Sequence, residues 1–329
     1  MRYLIDNRNN CDPFVNLAIE EYCLKSLDPR HEYVLLYANA PSVIVGRNQN
    51  ILQEIDRRYV EAKQIRVLRR LSGGGAVYHD KGNLNFCFIQ EAGPGGLRSI
   101  PSVLTPVLRS LHHMGLDAHI NDRSDLLVGT KKFSGSARFS NTRRVMVHGT
   151  LLFDADLQAL SRTLTPPENP VLTKAIQSVR HPVANIRPLL GRSMGIREFA
   201  DRLMDLVGSQ MGEVQKWSLG DRHWRQIHRL AADKYRSWEW TFGHTPDFSV
   251  MKNSRGKHHL RIDVHRGKIA EIVDLDPDNG TDIWRELGKW LIGTRYEQNE
   301  IRSVLSGIRI PAGSRALDPE QLTRELCYN

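Results

Sequence analysis

Several signals are missing from this sequence, and each absence excludes something. The 329 residues hold four cysteines, Cys11, Cys23, Cys87 and Cys327, with no CxxC pair. That argues against a disulfide scaffold and a zinc ribbon. No apolar run approaches the ~20 residues of a membrane-spanning helix. The opening MRYLIDNRNN lacks the apolar core of a signal peptide, so a reducing, cytoplasmic setting is expected. Aromatic residues are 7% of the chain and no block of five like charges occurs. A basic stripe with interleaved aromatics, as in a nucleic-acid-binding protein, is therefore missing. His112-His113, His258-His259, His223 and His228 show no HxxxH or HExxH metal spacing. No Gly-x-Ser-x-Gly elbow supports a serine hydrolase.

What is present describes a globular enzyme. Hydrophobic residues are 40% and charged residues 25%, ordinary values for a soluble domain. The length suggests about two domains. Lys+Arg exceed Asp+Glu by 46 − 37 = +9, which favours an acidic partner: nucleic acid, a membrane surface or an acidic protein. The doublets Arg69-Arg70, Lys131-Lys132 and Arg143-Arg144 lie inside otherwise apolar strands.

RYLIDN reads as a strand, and Asp12-Pro13 opens a helix with Asp as N-cap and Pro at the first helical position. Segments 33–39 and 42–46 are β-branched strands around a turn at Ala40-Pro41. Residues 53–64 predict an exposed helix. RVLRRLS alternates like a strand and runs into three glycines, and NLNFCFIQ places Leu84, Phe86 and Phe88 on one face. A helix over 102–114 precedes strands in DLLVG, KKFSGSARFS and RRVMVHGTLLFD. Residues 157–235 read as mostly helical, and two strands flank His265-Arg266-Gly267. The composition divides the chain into a mixed domain over 1–246 and a small α+β appendage over 247–329.

Three constellations can carry chemistry. In residues 69–80 the run Gly73-Gly74-Gly75 lets backbone approach a ligand and point N–H groups at an anion. Arg70 beside it offers a bidentate grip on carboxylate or phosphate. No Lys-Ser/Thr follows, so the run is not a Walker A loop. The bland alternative is a hairpin turn. Asp125-Leu126-Leu127 precedes Lys132-Phe133-Ser134-Gly135-Ser136, where an ammonium can neutralise charge on a transferring phosphate. A solvated lysine is the bland reading there. His79 and His148, each in an apolar strand, read alone as packed residues.

Together these pieces resemble the lipoate–protein ligase A family of the biotin/lipoyl ligase superfamily. The resemblance rests on residues 16–21 (NLAIEE), 41–50 (PSVIVGRNQN), 69–85 (RRLSGGGAVYHDKGNLN), Asp125-Leu126, 132–137 (KFSGSA), 148–152 (HGTLL), and Trp238-Glu239-Trp240 with Gly243 and Thr245-Pro246. It implies an α+β fold: a mixed-sheet lipoate- and ATP-binding domain of the biotin/lipoyl ligase type with a small C-terminal α+β domain. It also implies a two-step reaction. Lipoate and Mg-ATP give lipoyl-AMP, and the lipoyl group then passes to a lysine of an acceptor.

By this resemblance Lys132 is the catalytic residue, bridging the lipoate carboxyl and the α-phosphate. Arg70, Gly73, Gly74, Gly75, Tyr78, His79, Asn83, Asp125, Lys132, Ser134 and His148 are the candidates for ATP and lipoyl-AMP. Leu17, Ile19, Tyr37, Val43, Val45, Arg70, Ser72 and Gly135 are those for the lipoyl chain. Mg2+ arrives with ATP, with Asp125 the residue offered to it. Apo lipoyl domains of 2-oxoacid dehydrogenase E2 subunits, or the glycine cleavage H protein, are the implied acceptors of a monomeric enzyme. No specific nucleic acid and no membrane enter this reading. The sequence departs from the family at Ser124, where Asn is common, and at Cys87, where Ser is usual. Tyr37 stands where some members have Trp. Ser124 keeps open a lipoyltransferase that uses preformed lipoyl-AMP. A cysteine-based acyl transferase is disfavoured, because Cys11, Cys23 and Cys327 lie outside the motifs and Cys87 sits in an apolar strand.

Overall fold

A computed structural model describes residues 1–92, 99–166, 171–254, 258–276, 283–308 and 318–327. The chain divides into two compact units. The first comprises residues 1–47, 55–165 and 178–241, and the second 48–54, 166–177 and 242–329.

The first unit is built on a six-stranded sheet in the order β10-β11-β6-β2-β1-β13. Its strands are β1 (Arg2–Asp6), β2 (Glu32–Ala38), β6 (Asn83–Glu91), β10 (Ser136–Ser140), β11 (Arg144–Leu152) and β13 (Val214–Ser218). β10, β11, β6 and β2 pair antiparallel; β1 runs parallel to both β2 and β13. Both faces are covered, so strand alternation sorts side chains into two cores. Tyr33, Leu35, Tyr37, Cys87, Ile89 and Met146 face one core. Val34, Leu84, Phe86, Phe88, Val145 and Val147 face the other. The single-face expectation for Leu84, Phe86 and Phe88 holds.

The first core is covered by α1 (Pro13–Ser26) and α6 (Asp221–Leu230), the second by α3 (Ile100–His113) and α5 (Ile196–Met211). Asp12 caps α1, its side chain accepting from the Phe14 N–H at 3.0 Å. At the other end the buried Arg144 guanidinium donates to the carbonyls of Cys23 and His31, both at 2.6 Å. A cation is thereby placed on the negative end of the helix.

Two smaller sheets complete the unit. One, in the order β4-β3-β5, holds β3 (Ser42–Val45), β4 (Arg66–Arg69) and β5 (Val77–His79). The other is a meander of β7 (Ala118–Ile120), β8 (Leu126–Val128) and β9 (Lys131–Ser134). Segments 33–39 and 42–46 are strands as expected, but they enter different sheets.

Two expectations need correction. The helix predicted over 53–64 is a 3-10 turn at Ile51–Gln53 followed by α2 (Arg57–Ala62), because Asp56 caps the later start. Residues 157–235 contain α4 (Leu157–Thr163), α5 and α6, but also two strands. These are β12 (Val171–Thr173) and the edge strand β13. β13 is specified by pairing with β1, which lies about two hundred residues earlier and leaves no local signature.

In the second unit β12, β14 (Phe248–Ser254), β15 (His258–His265) and β16 (Lys268–Asp274) form an antiparallel sheet. Trp284, Leu287 and Leu291 of α8 (Ile283–Leu291) pack with Ile301 and Leu305 of α9 (Gln298–Gly307) and Leu322 and Leu326 of α10 (Pro319–Cys327) in one core. Residues 48–54 and 166–177 join this unit because β12 pairs with β14 and Gln53 donates to the Val171 carbonyl at 3.1 Å. The composition-based boundary at 246/247 does not register either excursion, since neither has a compositional mark.

Candidate active site

The glycine run leaves β4 as a folded loop. Arg70 Nε donates to Ser72 Oγ at 3.0 Å, Nη1 to the Ile44 carbonyl at 2.9 Å, and Nη2 to the carbonyls of Gly73 and Gly75, both at 2.7 Å. Gly74 takes a left-handed φ of +86°, which a side chain would strain. The Ala76 N–H is accepted by Ser178 Oγ at 2.8 Å. The sequence reading gave the Arg70 guanidinium an anion to hold; in the structure it holds the loop's own carbonyls. The neighbouring Arg69 donates to Thr241, Gly46 and Arg47 carbonyls at 2.9, 2.8 and 3.1 Å. Burial beside Arg70 brings its pKa down to about 10.

Lys132 lies on β9, with its backbone pinned to Pro182 and Ala184. Its ammonium is 2.8 Å from Asp125 Oδ1, and the Lys132 side chain is 25% exposed against 8% for Asp125. A Cβ on Gly135 would come within 3.0 Å of Lys132 Nζ, so glycine there leaves room for the ammonium. Asp125 is presented by a turn in which Asn121 Oδ1 accepts from the N–H groups of Arg123 and Asp125. Ser124 in this turn has φ +65°. Asn enters that region more readily than Ser, which gives the departure at 124 a backbone meaning beyond the loss of an amide side chain.

The two histidines sit at one end of the sheet face that α1 covers, where polar residues replace the core. His148 Nδ1 is 2.7 Å from Glu20 Oε2, and its Nε2 is 2.6 Å from Ser72 Oγ. Tyr37 donates to Glu20 Oε1 at 2.9 Å. His79 Nδ1 accepts from Asn39 Nδ2 at 3.0 Å, and Asn39 Oδ1 accepts from Asn16 at 2.8 Å. Burial, then the cationic neighbour Arg70 and then His148, brings the His79 pKa down to about 3. This imidazole is neutral and carries its proton on Nε2, an atom with no partner among the described residues. Asn83 Oδ1, Ser134 Oγ and Ser136 Oγ are likewise buried without a partner. Unpaired buried polar atoms are rare in folded proteins and call for an explanation such as a ligand.

Most of the predicted residues thus fall into two groups: the loop with Arg70, Ser72, Gly73, Gly74, Gly75, His79 and His148, and the pair Lys132–Asp125 with Gly135. Tyr78 does not join them. It alternates with His79 on β5 and turns to the other side, where burial, with the Asp80 and Asp156 carboxylates near it, pushes its phenol up to about 12. Leu17, Ile19 and Tyr37 belong to the α1-side core, and Val43 and Val45 are fully buried on β3. Sequence reasoning missed Asn16, Glu20 and Asn39, buried at 0%, 2% and 0% exposure. Asn16 and Glu20 stand one turn apart on α1; polar residues at that spacing in an apolar helix were the available signal. The Cys87 and Cys23 thiols are fully buried and pushed up by burial, which leaves no thiolate nucleophile in this core.

Residues 12–207 match the family described as the lipoyl protein ligase A/B catalytic domain. Among curated proteins, the lipoate-protein ligase LplJ of Bacillus subtilis is 38% identical over 311 residues, covering 93% of this chain and 94% of that one. Lipoate–protein ligase 1 of Staphylococcus aureus is 36% identical over 305 residues, covering 92% and 93%. A solved lipoate-protein ligase A bound with ATP aligns with TM-score 0.60 and 26% identity, over 73% of this chain and 96% of its own. The bi-partite lipoate protein ligase described with its E2 lipoyl domain from Thermoplasma acidophilum aligns with TM-score 0.64 and 25% identity, over 73% and 95%.

Proposed function

The chain belongs to the lipoyl protein ligase A/B family and has lipoate–protein ligase activity; from that premise we propose that one site performs both half-reactions, with Lys132 as its catalytic residue. The observation that carries this is the Lys132 ammonium, held 2.8 Å from Asp125 and only partly exposed, with the unpaired polar atoms of Asn83, Ser134 and His79 elsewhere in the same unit.

A carboxylate and a triphosphate repel each other, so their meeting needs a cation already in place. In the first step a lipoate carboxylate oxygen bonds the α-phosphorus while the bond to the β-phosphate bridge breaks, and pyrophosphate leaves. Lys132, released from Asp125 toward the incoming anions, neutralises both. The Gly73–Gly75 loop, shaped by Arg70, offers backbone to the nucleotide, and the neutral His79 offers one N–H. The lipoyl tail is assigned to the apolar side, where Leu17 and Ile19 share a core with Tyr37; Val43 and Val45, on the face of β3 opposite Ile44 and beside Tyr78, do not line it. In the second step the acceptor lysine nitrogen bonds the acyl carbon, the acyl–phosphate oxygen bond breaks, AMP leaves, and the amine proton passes to solvent.

No group of three or more His, Cys, Asp or Glu able to hold a metal occurs among the described residues. Mg2+ usually needs one or two carboxylates plus substrate phosphates, and Asp125 with a triphosphate fits that donor set. When bound, the ion would add positive charge to the phosphates.

The acceptor is assigned as an apo lipoyl domain. The net charge of +9 suits an acidic one, with association faster at low salt. Among the described residues no helix is long and apolar enough to cross a membrane.

The test is the intact mass of an apo lipoyl domain after incubation with lipoate and Mg-ATP, or with lipoyl-AMP alone. Modification in both is expected. Modification with lipoyl-AMP alone would make the chain a lipoyltransferase. Lys132→Ala should lose activation by about 100-fold or more while remaining folded; near-normal activation would remove Lys132 from the mechanism.

A further inference from the structure

Glu20 projects from α1 beneath the sheet and is 2% exposed. Both of its carboxylate oxygens are engaged, Oε1 by the Tyr37 hydroxyl and Oε2 by His148 Nδ1. His148 Nε2 meets the Ser72 hydroxyl, and Ser72 Oγ meets Arg70 Nε. Arg70 Nη2 then holds the carbonyls of Gly73 and Gly75.

The donors run in one direction along this chain. Arg70 Nε–H can only donate, so Ser72 Oγ accepts it, and the Glu20 carboxylate can only accept, so His148 carries a proton on Nδ1. In the neutral imidazole Nε2 then accepts the Ser72 proton. A buried carboxylate and a buried guanidinium thus end a line of three hydrogen bonds, and neither end is left uncompensated.

Glu20, His148 and Ser72 follow the order of an acid–base–serine triad. Ser72, however, is 1% exposed and its oxygen already receives Arg70 Nε. It is a link rather than a nucleophile. We propose that Glu20 is a positioning residue for the ligase reaction, setting the glycine loop through His148, Ser72 and Arg70. This rests on the reading above that the loop meets the nucleotide and lipoyl group.

The experiment uses the full chain and Glu20→Gln. Glutamine has one acceptor oxygen where the carboxylate has two, so it keeps the acceptor for Tyr37 or the acceptor for His148 but not both, and the line is broken or reversed at one of them. Nitrogen-15 NMR of histidine-labelled protein should find the His148 proton on Nδ1 in the unmodified chain. Lipoate-dependent exchange of pyrophosphate into ATP should fall about tenfold or more, with the melting temperature little changed. Ser72→Ala cuts the line between His148 and Arg70. It should cause a similar fall with the proton still on Nδ1, and it serves if Glu20→Gln does not fold. The double variant should lose no more than the worse single one, as members of one unit do.

Exchange within about twofold of the unmodified chain in either variant, or additive losses in the double variant, would overturn the proposal. So would a His148 proton on Nε2 alone in the unmodified chain. If the unmodified chain catalyses no exchange, the reading of the site fails, and the position of the His148 proton still decides the network.

Discussion

His79 makes a quantitative prediction. Its ring is buried with Nδ1 already accepting from Asn39, and its pKa is down at about 3. In the unfolded chain a histidine titrates near about 6.5. Between those values the unfolded chain binds a proton that the folded chain refuses, so stability falls as the pH drops through about 6.5 and levels off only near 3. From pH 7 to pH 5 the loss from this one group is about 2 kcal/mol. His79→Gln keeps an acceptor for Asn39 and removes the titration. The substitution costs stability at both pH values, and subtraction cancels that cost along with the other histidines. Urea unfolding at 25 °C, followed by tryptophan fluorescence, should show the unmodified chain losing about 2 kcal/mol more than the variant between pH 7 and pH 5. Parallel losses, or an NMR titration of His79 near its ordinary range, would refute the assignment of a neutral, buried donor.

Two further outcomes follow from the same structure. Arg144→Met removes the charged donor from the Cys23 and His31 carbonyls. It should cost about 3 kcal/mol in thermal unfolding; a loss under about 1 kcal/mol would mean that the α1 terminus is held some other way. Ser124→Asn places a residue better suited to the left-handed φ of +65°. It should raise stability by up to about 1 kcal/mol without loss of lipoate activation; destabilisation would show that the Asn121–Asp125 turn needs the serine hydroxyl.

Local pattern alone determined much of this protein. The alternation of Leu84, Phe86 and Phe88, the Asp12-Pro13 helix start and the glycine triplet after β4 depend on neighbours a few residues away, and such neighbours are written side by side. The Lys132–Asp125 pair was legible for the same reason, since both belong to one meander. Tertiary structure decided what depends on distant partners. β13 is a strand because β1 lies beside it. Tyr78 faces away from His79 because strand β5 alternates. Asn16 and Glu20 become site residues only when α1 is laid against β2 and β11, which bring Asn39 and His148 to them from 23 and 128 residues along the chain. Buried polar groups take whichever partners packing supplies, and hydrophobic pattern carries no record of that choice.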